Sequence, residues 1–191
     1  DSTLIIDPGV DVIFNANYKF IINGRILAQG LINDSISFYA INSVPGFGGI
    51  RFENITATQD SSLFEFCNVY HARVGSSGAT GTNNYGGGFF INNFSKVRIQ
   101  HCNMYNNVTY GAGGGIACYS NSEPLILDNL FDNNVAGVAG STIAQGGGIH
   151  CALNSHAIVM RNHFTHNTAA NGGSAMYTSG SNVYFIENLV D

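Results

Sequence analysis

A glycine pair or triplet followed by a short apolar alternation recurs along this chain, and it limits the possible folds more than any other feature. The starts read "FGGIRFEN" from Phe47, "GGGFFINN" from Gly86, "GGGIACYS" from Gly113, "GGGIHCAL" from Gly146 and "GGSAMYTS" from Gly172. The last four lie 27, 33 and 26 residues apart (86 to 113, 113 to 146, 146 to 172). Each is followed by a second alternation that ends in an asparagine-rich corner: "LFEFCNVYHAR", "VRIQHCNMYNN", "LILDNLFDNN", "IVMRNHFTHN" and "VYFIENLVD". Runs this short, with period two and turn residues at both ends, are strands, and no stretch carries a helical period. A unit of two or three such strands cannot bury its own apolar side, so it has to stack on copies of itself.

Parallel stacking at about 4.8 Å places equivalent positions over one another. Alignment on the glycines predicts four inward columns. They are Ile50, Phe89, Ile116, Ile149 and Ala175; Phe52, Ile91, Cys118, Cys151 and Tyr177; Phe66, Ile99, Leu127, Met160 and Phe185; and Tyr70, Met104, Phe131, Phe164 and Val190. Asn68, Asn129, Asn162 and Asn188 recur at the bend after the second strand, with Cys102 in the slot of the coil that lacks one. Asparagine tolerates left-handed backbone angles and its amide can bond to a counterpart one coil away, so these four are expected to form a structural ladder. Asn107, Asn134 and Asn167 form a second set. The first 46 residues alternate in the same way without the glycine mark. The expectation is an all-β, single-stranded parallel β-helix of about six or seven coils. It forms one domain over 1–191, with opening coils in 1–46 and glycine-marked coils in 47–191.

Composition narrows the partners. With 10% charged and 45% hydrophobic residues, and 24 asparagines beside 24 glycines, the chain is too apolar for a disordered segment and too interrupted for a membrane span. A net charge of -5 with seven Lys plus Arg leaves no phosphate-binding footprint, which argues against nucleic acid. Cys67, Cys102, Cys118 and Cys151 lack zinc-ligand spacing. Cys118 and Cys151 fall in one inward slot, and Cys67 and Cys102 share a corner slot. Free buried thiols are expected, because a disulfide needs a closer approach than an in-register stack gives.

The pairing of "GG-x-I" with "F-x-x-N", as in Gly147 to Ile149 with Phe164 to Asn167, is similar to the repeats of polymorphic outer-membrane autotransporter passengers. The opening "LIIDPGVDVIF", "INGRILAQG" and "FGGIRF" is similar to the first coils of secreted Bacteroidetes-type β-helix proteins. Over nearly its whole length the chain resembles secreted right-handed parallel β-helix proteins of the pectin-lyase-like superfamily, above all the noncatalytic repeat domains of bacterial surface proteins. The resemblance implies a right-handed solenoid that is secreted or held at a cell surface in association with a bacterial outer membrane, without spanning it. Activity stays open, since one fold hosts lyases, hydrolases, adhesins and inert stalks.

Enzymes of this superfamily carry carboxylates, or a calcium site plus arginine, on the outer face of one sheet. The sets "NTD", "DD", "GHG", "RIK", "WIDH" and "RxPxxR" do not occur. Asp128 and Asp132 fall on opposite sides of a bend, and Asp128 is expected to pair with Arg161 near Glu187 in a surface ion-pair column. His163 and His166 flank Phe164, with only His101 or His71 as a third ligand for a metal, and Asp7 with Asp11 is the best pair for calcium. Both metal readings are weaker than ordinary surface roles. His150 faces outward in a column with Arg51, Phe90, Ala117 and Met176, with no carboxylate to orient it as a base. No catalytic residue, metal or cofactor is assigned.

Two surfaces are candidates for contact. Inserts at 74–86, 108–112, 135–145 and 168–171 project from one flank and carry Tyr85 and Tyr110. The outward column of the second strand, expected as Glu65, Arg98, Ile126, Val159 and Tyr184, turns apolar in its upper part. The expected function is a noncatalytic extracellular or cell-surface scaffold or adhesion module. Its partners would be other domains of a longer chain, another surface protein, or a glycan. A carbohydrate-active enzyme or carbohydrate-binding domain of the same fold is the alternative. The stop at "ENLVD", midway through a coil, adds the expectation of a piece of a longer protein or of a cap from another chain.

Overall fold

The computed structural model describes residues 2–53, 55, 61–76, 81–93, 95–137 and 143–191. The chain winds repeatedly through three walls. The first sheet holds Thr3–Ile6, Arg25–Gln29, Ser62–Glu65, Val97–Gln100, Leu125–Leu127, His156–Met160 and Asn182–Ile186. The second holds Asp11–Phe14, Ile36–Ala40, Cys67–Tyr70, Asn103–Tyr105, Leu130–Asp132, His163–Thr165 and Leu189–Val190. The third holds Phe20–Ile22, Ile50–Phe52, Phe89–Ile91, Ile116–Cys118, Ile149–Ala152 and Met176–Ser179. A narrow fourth sheet of Arg73–Val74, Val108–Thr109, Val135–Ala136 and Thr168–Ala169 closes the corner between the second and third. Every ladder between these strands is parallel, and the first and second walls are each traversed seven times, as a solenoid of six or seven coils requires. Gly81–Asn84 makes a single 3-10 turn where the sequence suggested no helix of any kind.

The stacking is in register. Ile116 pairs with Ile149, Cys118 with Cys151, and Phe131 with Phe164, whose rings stack at 4.7 Å. The inward columns of the third sheet are Ile50, Phe89, Ile116, Ile149 and Met176, and Phe52, Ile91, Cys118, Cys151 and Thr178. Met176 and Thr178 replace the expected Ala175 and Tyr177, because the last glycine pair aligns one residue later than its predecessors. In the first sheet the inward column is Phe64, Ile99, Ile126, Val159 and Phe185, and in the second it is Val69, Met104, Phe131, Phe164 and Val190. Phe66, Leu127, Met160 and Tyr70 are therefore not inward members of those columns. The physical reason is a single left-handed residue between the first and second sheets: Phe66, His101, Asp128, Arg161 and Glu187 all have φ between 47° and 56°. Counting such a bend residue as part of a strand shifts the register by one, and a shift of one exchanges the two faces.

The same bends correct the reading of the ladder. The left-handed angle belongs to the residue before each ladder position, and the asparagine itself satisfies the backbone that the bend exposes. Asn129 Nδ2 donates to Ile99 O at 3.0 Å and to Asn162 Oδ1 at 2.9 Å, while Asn129 Oδ1 accepts from the Cys102 amide at 2.9 Å. Asn162 repeats this with Ile126 O and Asn188. Asn68 is not a member. It pairs with Asn103 on the surface, and the slot below Cys102 belongs to Cys67, whose amide donates to Cys102 Sγ. The second set forms a parallel ladder: Asn107 Nδ2 donates to Asn134 Oδ1, and Asn134 Nδ2 to Asn167 Oδ1. Each amide in these rows saturates buried carbonyls and amides that would otherwise be orphaned at about 1–3 kcal/mol apiece.

The glycine triplets are explained by close approach as much as by turning. Gly146 has φ +69°, and a Cβ on Gly114 would lie 2.3 Å from Gly147 O in the next coil. All four cysteines are buried free thiols, as the sequence suggested. Hydrogen bonding to Cys151 and burial push the Cys118 thiol well above its ordinary pKa, which leaves it inert.

Candidate functional site

The first candidate face is the outside of the third sheet, where stacking aligns Ile21, Arg51, Phe90, Ala117, His150 and Tyr177. The sequence placed His150 in an outward column, and it does point away from the core. Tyr177, not Met176, is its neighbour above. This outside is nevertheless not open: Arg51, Phe90, Ala117 and His150 are at most 3% exposed. Phe90, Ala117, Tyr119 and Ala152 form a second apolar cluster, with Tyr85 packed against it.

Arg51 holds the cover in place. Its Nε meets Glu53 Oε1 at 2.7 Å, its other nitrogens donate to Tyr85 O and Thr82 O at 3.0 and 2.8 Å, and its guanidinium sits 4.4 Å from the Phe90 ring centroid. Burial pulls its pKa down, and the bond to Glu53 opposes that shift. The insert carrying Tyr85 is thereby folded onto the sheet, and Tyr85 stacks on Tyr119 at 4.9 Å. Tyr85 is thus half-buried in the cover rather than held out as a contact residue. Tyr110 lies 5.9 Å from the Arg73 guanidinium. Of the inserts themselves, residues 77–80 and 138–142 lie outside the described residues.

His150 stacks between Tyr119 and Tyr177, with centroids at 5.4 and 5.6 Å, and neither ring nitrogen has a hydrogen-bond partner among the described residues. Desolvation pushes its pKa down to about 4, so the imidazole is neutral around pH 7.

A second candidate is a groove of about 550 Å³ along the outside of the bend between the first and second sheets. Phe66, Asn68, His101, Asn103, Asp128, Arg161 and His163 line it, with Leu31 and Ile32 at its lower end. Arg161 Nε and Nη2 take both oxygens of Asp128 at 2.8 and 2.7 Å, in the expected ion pair, and this bond holds the Asp128 carboxyl below its usual pKa. His163 bonds Asp191 at 2.6 Å and His166 bonds Asp132 at 2.9 Å, so the two histidines have separate carboxylate partners. Among the described residues no group of three metal-ligating side chains comes together.

The third candidate is the outside of the first sheet, where Leu63, Arg98, Leu125, Ile158 and Tyr184 are aligned. Ile126 and Val159, expected on this surface, are 0% exposed and point into the core, whereas Tyr184 is 65% exposed on the wall as expected. Leu125 and Ile158 take the places assigned to Ile126 and Val159. A groove of about 450 Å³ runs up this column, flanked by Ser61, Lys96, Glu123, Pro124 and His156. Lys96 was not singled out in the sequence. The signal available was its i, i+2 spacing to Arg98, which puts both cations on one strand face.

The model of the family described as right handed beta helix region matches residues 31–190. The chain belongs to the right-handed β-helix family. This match fixes the hand of the solenoid, which the strand ladders alone leave open. No curated protein and no solved structure matches the chain. Among the described residues of this β-helix, no helix is long and apolar enough to cross a membrane.

Proposed function

We propose that this β-helix is a noncatalytic module, secreted or displayed at a bacterial cell surface in association with the outer membrane, which holds its walls rigid and offers them to a partner. The observation that carries this reading is the state of five carboxylates on or beside the walls. Asp128 is spent on Arg161, Glu53 on Arg51, Glu65 on Gln100, Asp132 on His166 and Asp191 on His163. Glycoside hydrolysis generally needs two carboxyl groups facing one bond about 5–9.5 Å apart, and a carboxylate committed to a side-chain neighbour serves poorly as acid, base or nucleophile. The extracellular placement rests on the resemblance of the repeats to surface proteins. Incubation with a panel of polysaccharides, read by reducing-end release and by unsaturated-product absorbance, should give no depolymerisation. Turnover that survives repurification would overturn the reading, and fractionation of cells carrying the native gene tests the placement.

One observation favours the carbohydrate-active alternative: the bend groove brings Asp128, His101 and His163 to one open depression. If that reading held, Asp128→Asn would abolish a depolymerising activity while leaving the fold intact.

A further inference from the structure

The strands of the second sheet carry no cation. None of the seven contains Lys or Arg, whereas strands of the first sheet carry Arg25 and Arg98, the third Arg51 and the fourth Arg73. They do contain Asp11 and Asp132. On the coils between these two lies an aromatic row. Tyr39, Tyr70 and Tyr105 are paired on successive coils, with rings stacked at 4.8 and 4.7 Å and within 7° and 11° of parallel. Their strand neighbours Phe38, Val69 and Met104 point into the core, so the three rings face outward. Beside them runs a polar row of Ser37, Asn68 and Asn103, in which Asn103 Nδ2 donates to Asn68 Oδ1 at 2.9 Å. Burial pushes the Tyr70 phenol up to about 12 and raises that of Tyr105, so neither ring is charged at neutral pH.

The aromatic row ends in a step. The residue paired with Tyr105 on the next coil is Asp132, and Thr165 follows above it, both with shorter side chains. The Tyr105 ring therefore extends past the carboxylate of the coil above. His166 Nδ1 meets Asp132 Oδ1 at 2.9 Å, and among the described residues no hydrogen bond reaches Oδ2. A flat group that continued the stack at the spacing of the coils would lie on Tyr105 and against that carboxylate. It has to be planar to stack and positive to satisfy both the ring face and the anion, which is the chemistry of a guanidinium. An ammonium would meet the charge without the stack, and a neutral ring would stack without the charge. With Asp132 39% exposed, the step encloses little of a free small cation, whereas a polypeptide can also use the amides of the polar row.

We propose that the end of the tyrosine row, formed by Tyr105 and Asp132, is a docking point for an arginine side chain of a partner polypeptide lying on the second sheet. The guanidinium stacks on Tyr105 and pairs with Asp132, and the partner's backbone bonds to Asn68 and Asn103. The assignment rests on the reading of the chain as a module that offers its walls to a partner, and it names the wall and the partner's chemistry.

The test is surface plasmon resonance of the whole chain over immobilised, capped glycine-serine peptides that carry two arginines, two lysines or two citrullines. The arginine peptide should bind tightest, the lysine peptide less and the planar but neutral citrulline peptide least, and the affinity should fall with added salt. Asp132→Asn and Tyr105→Leu should each weaken arginine-peptide binding about fivefold, the size of one exposed ion pair or cation–π contact. Tyr105→Phe should keep it, because the ring face remains. Glu123→Gln removes the same charge from an exposed position beside the first sheet and should leave binding unchanged. Unchanged thermal unfolding of the variants separates a contact role from a folding one. Equal binding of the arginine and lysine peptides, or a loss in Glu123→Gln as large as that in Asp132→Asn, would reduce the effect to general attraction by an acidic protein and overturn the site. Free arginine amide competing as strongly as the peptide would overturn the polypeptide partner. Each of these failures leaves the noncatalytic reading intact, while depolymerisation of a polysaccharide by a chain that still binds the arginine peptide would overturn that reading and keep the site.

Discussion

The outer faces of the third and first sheets are built on the same backbone and differ in what covers them. On the third sheet, Arg51, Phe90, Ala117 and His150 lie beneath an aromatic layer anchored by the arginine. On the first, Arg98 and Tyr184 are exposed and Leu125 and Ile158 half-buried, and no described residue forms an aromatic layer over them. In a solenoid the inward columns are dictated by packing, whereas the outward ones are free to vary. Here one outward wall has become a second small core and the other has kept free charge beside apolar surface. Stability should therefore be sensitive on the first of these faces and insensitive on the second.

The largest expected effect is at Arg51. Arg51→Ala removes a buried cation, strands Tyr85 O and Thr82 O and leaves Glu53 without its partner, so unfolding free energy should drop by about 3–5 kcal/mol. Chemical denaturation measures it, and a drop under about 1 kcal/mol would show that the aromatic layer seals the face without its anchor. Arg98→Gln on the open face should move the midpoint by no more than about 0.5 kcal/mol.

Within one residue type the contrast repeats. Asn129→Ala orphans the Cys102 amide and Ile99 O inside the wall and should cost about 3 kcal/mol, while Asn68→Ala breaks only side-chain bonds, an exposed one from Asn103 and a half-buried one to Ser35, and should cost less than about 1 kcal/mol. Equal losses in parallel melts would contradict the division between ladder and surface asparagines.

His150 sharpens the comparison through pH. Its folded pKa of about 4 lies below the ordinary value of 6.5, so between the two the unfolded chain binds more protons than the folded one. Stability is fully present above pH 6.5 and falls as the pH drops toward 4, by up to about 3 kcal/mol for this shift. His150→Phe keeps the ring stack between Tyr119 and Tyr177 and should flatten that window. A slope unchanged in the variant would assign the acid sensitivity elsewhere.

The solenoid was legible because its signals are periodic and redundant. Glycine pairs, alternation and asparagine corners repeat five times, and a misaligned residue in one coil is outvoted by the others. Faces were less legible. Ile126 and Val159 were assigned outward because the left-handed residue before each ladder position is carried by phenylalanine, histidine, aspartate, arginine or glutamate, none of which announces a bend. The filled third wall was harder still. Arg51, Phe90 and His150 show an outward period, and their burial depends on where the insert carrying Tyr85 folds back, which no local pattern encodes. Lys96 drew no attention as an ordinary exposed cation, and Arg98 was placed in the outward column without being set apart from its neighbours.

The smallest effect expected lies at the bend, between the two faces. Arg161 and Asp128 make a two-bond ion pair, yet both are substantially exposed, at 44% and 28%. Geometry of that quality beside a buried face would anchor structure, as at Arg51. In water, solvent screening and the entropy of holding two side chains offset the attraction. Asp128→Asn should therefore leave the unfolding midpoint unchanged at neutral pH. The Asp128 pKa is lowered by Arg161, so whatever the pair contributes is present above the ordinary carboxylate range and lost as pH falls through the folded value. A clear loss of stability in Asp128→Asn at neutral pH and ordinary salt would mean that the bend groove is less open to water than its exposed lining indicates, and the distinction between covered and open walls would have to be redrawn to include it.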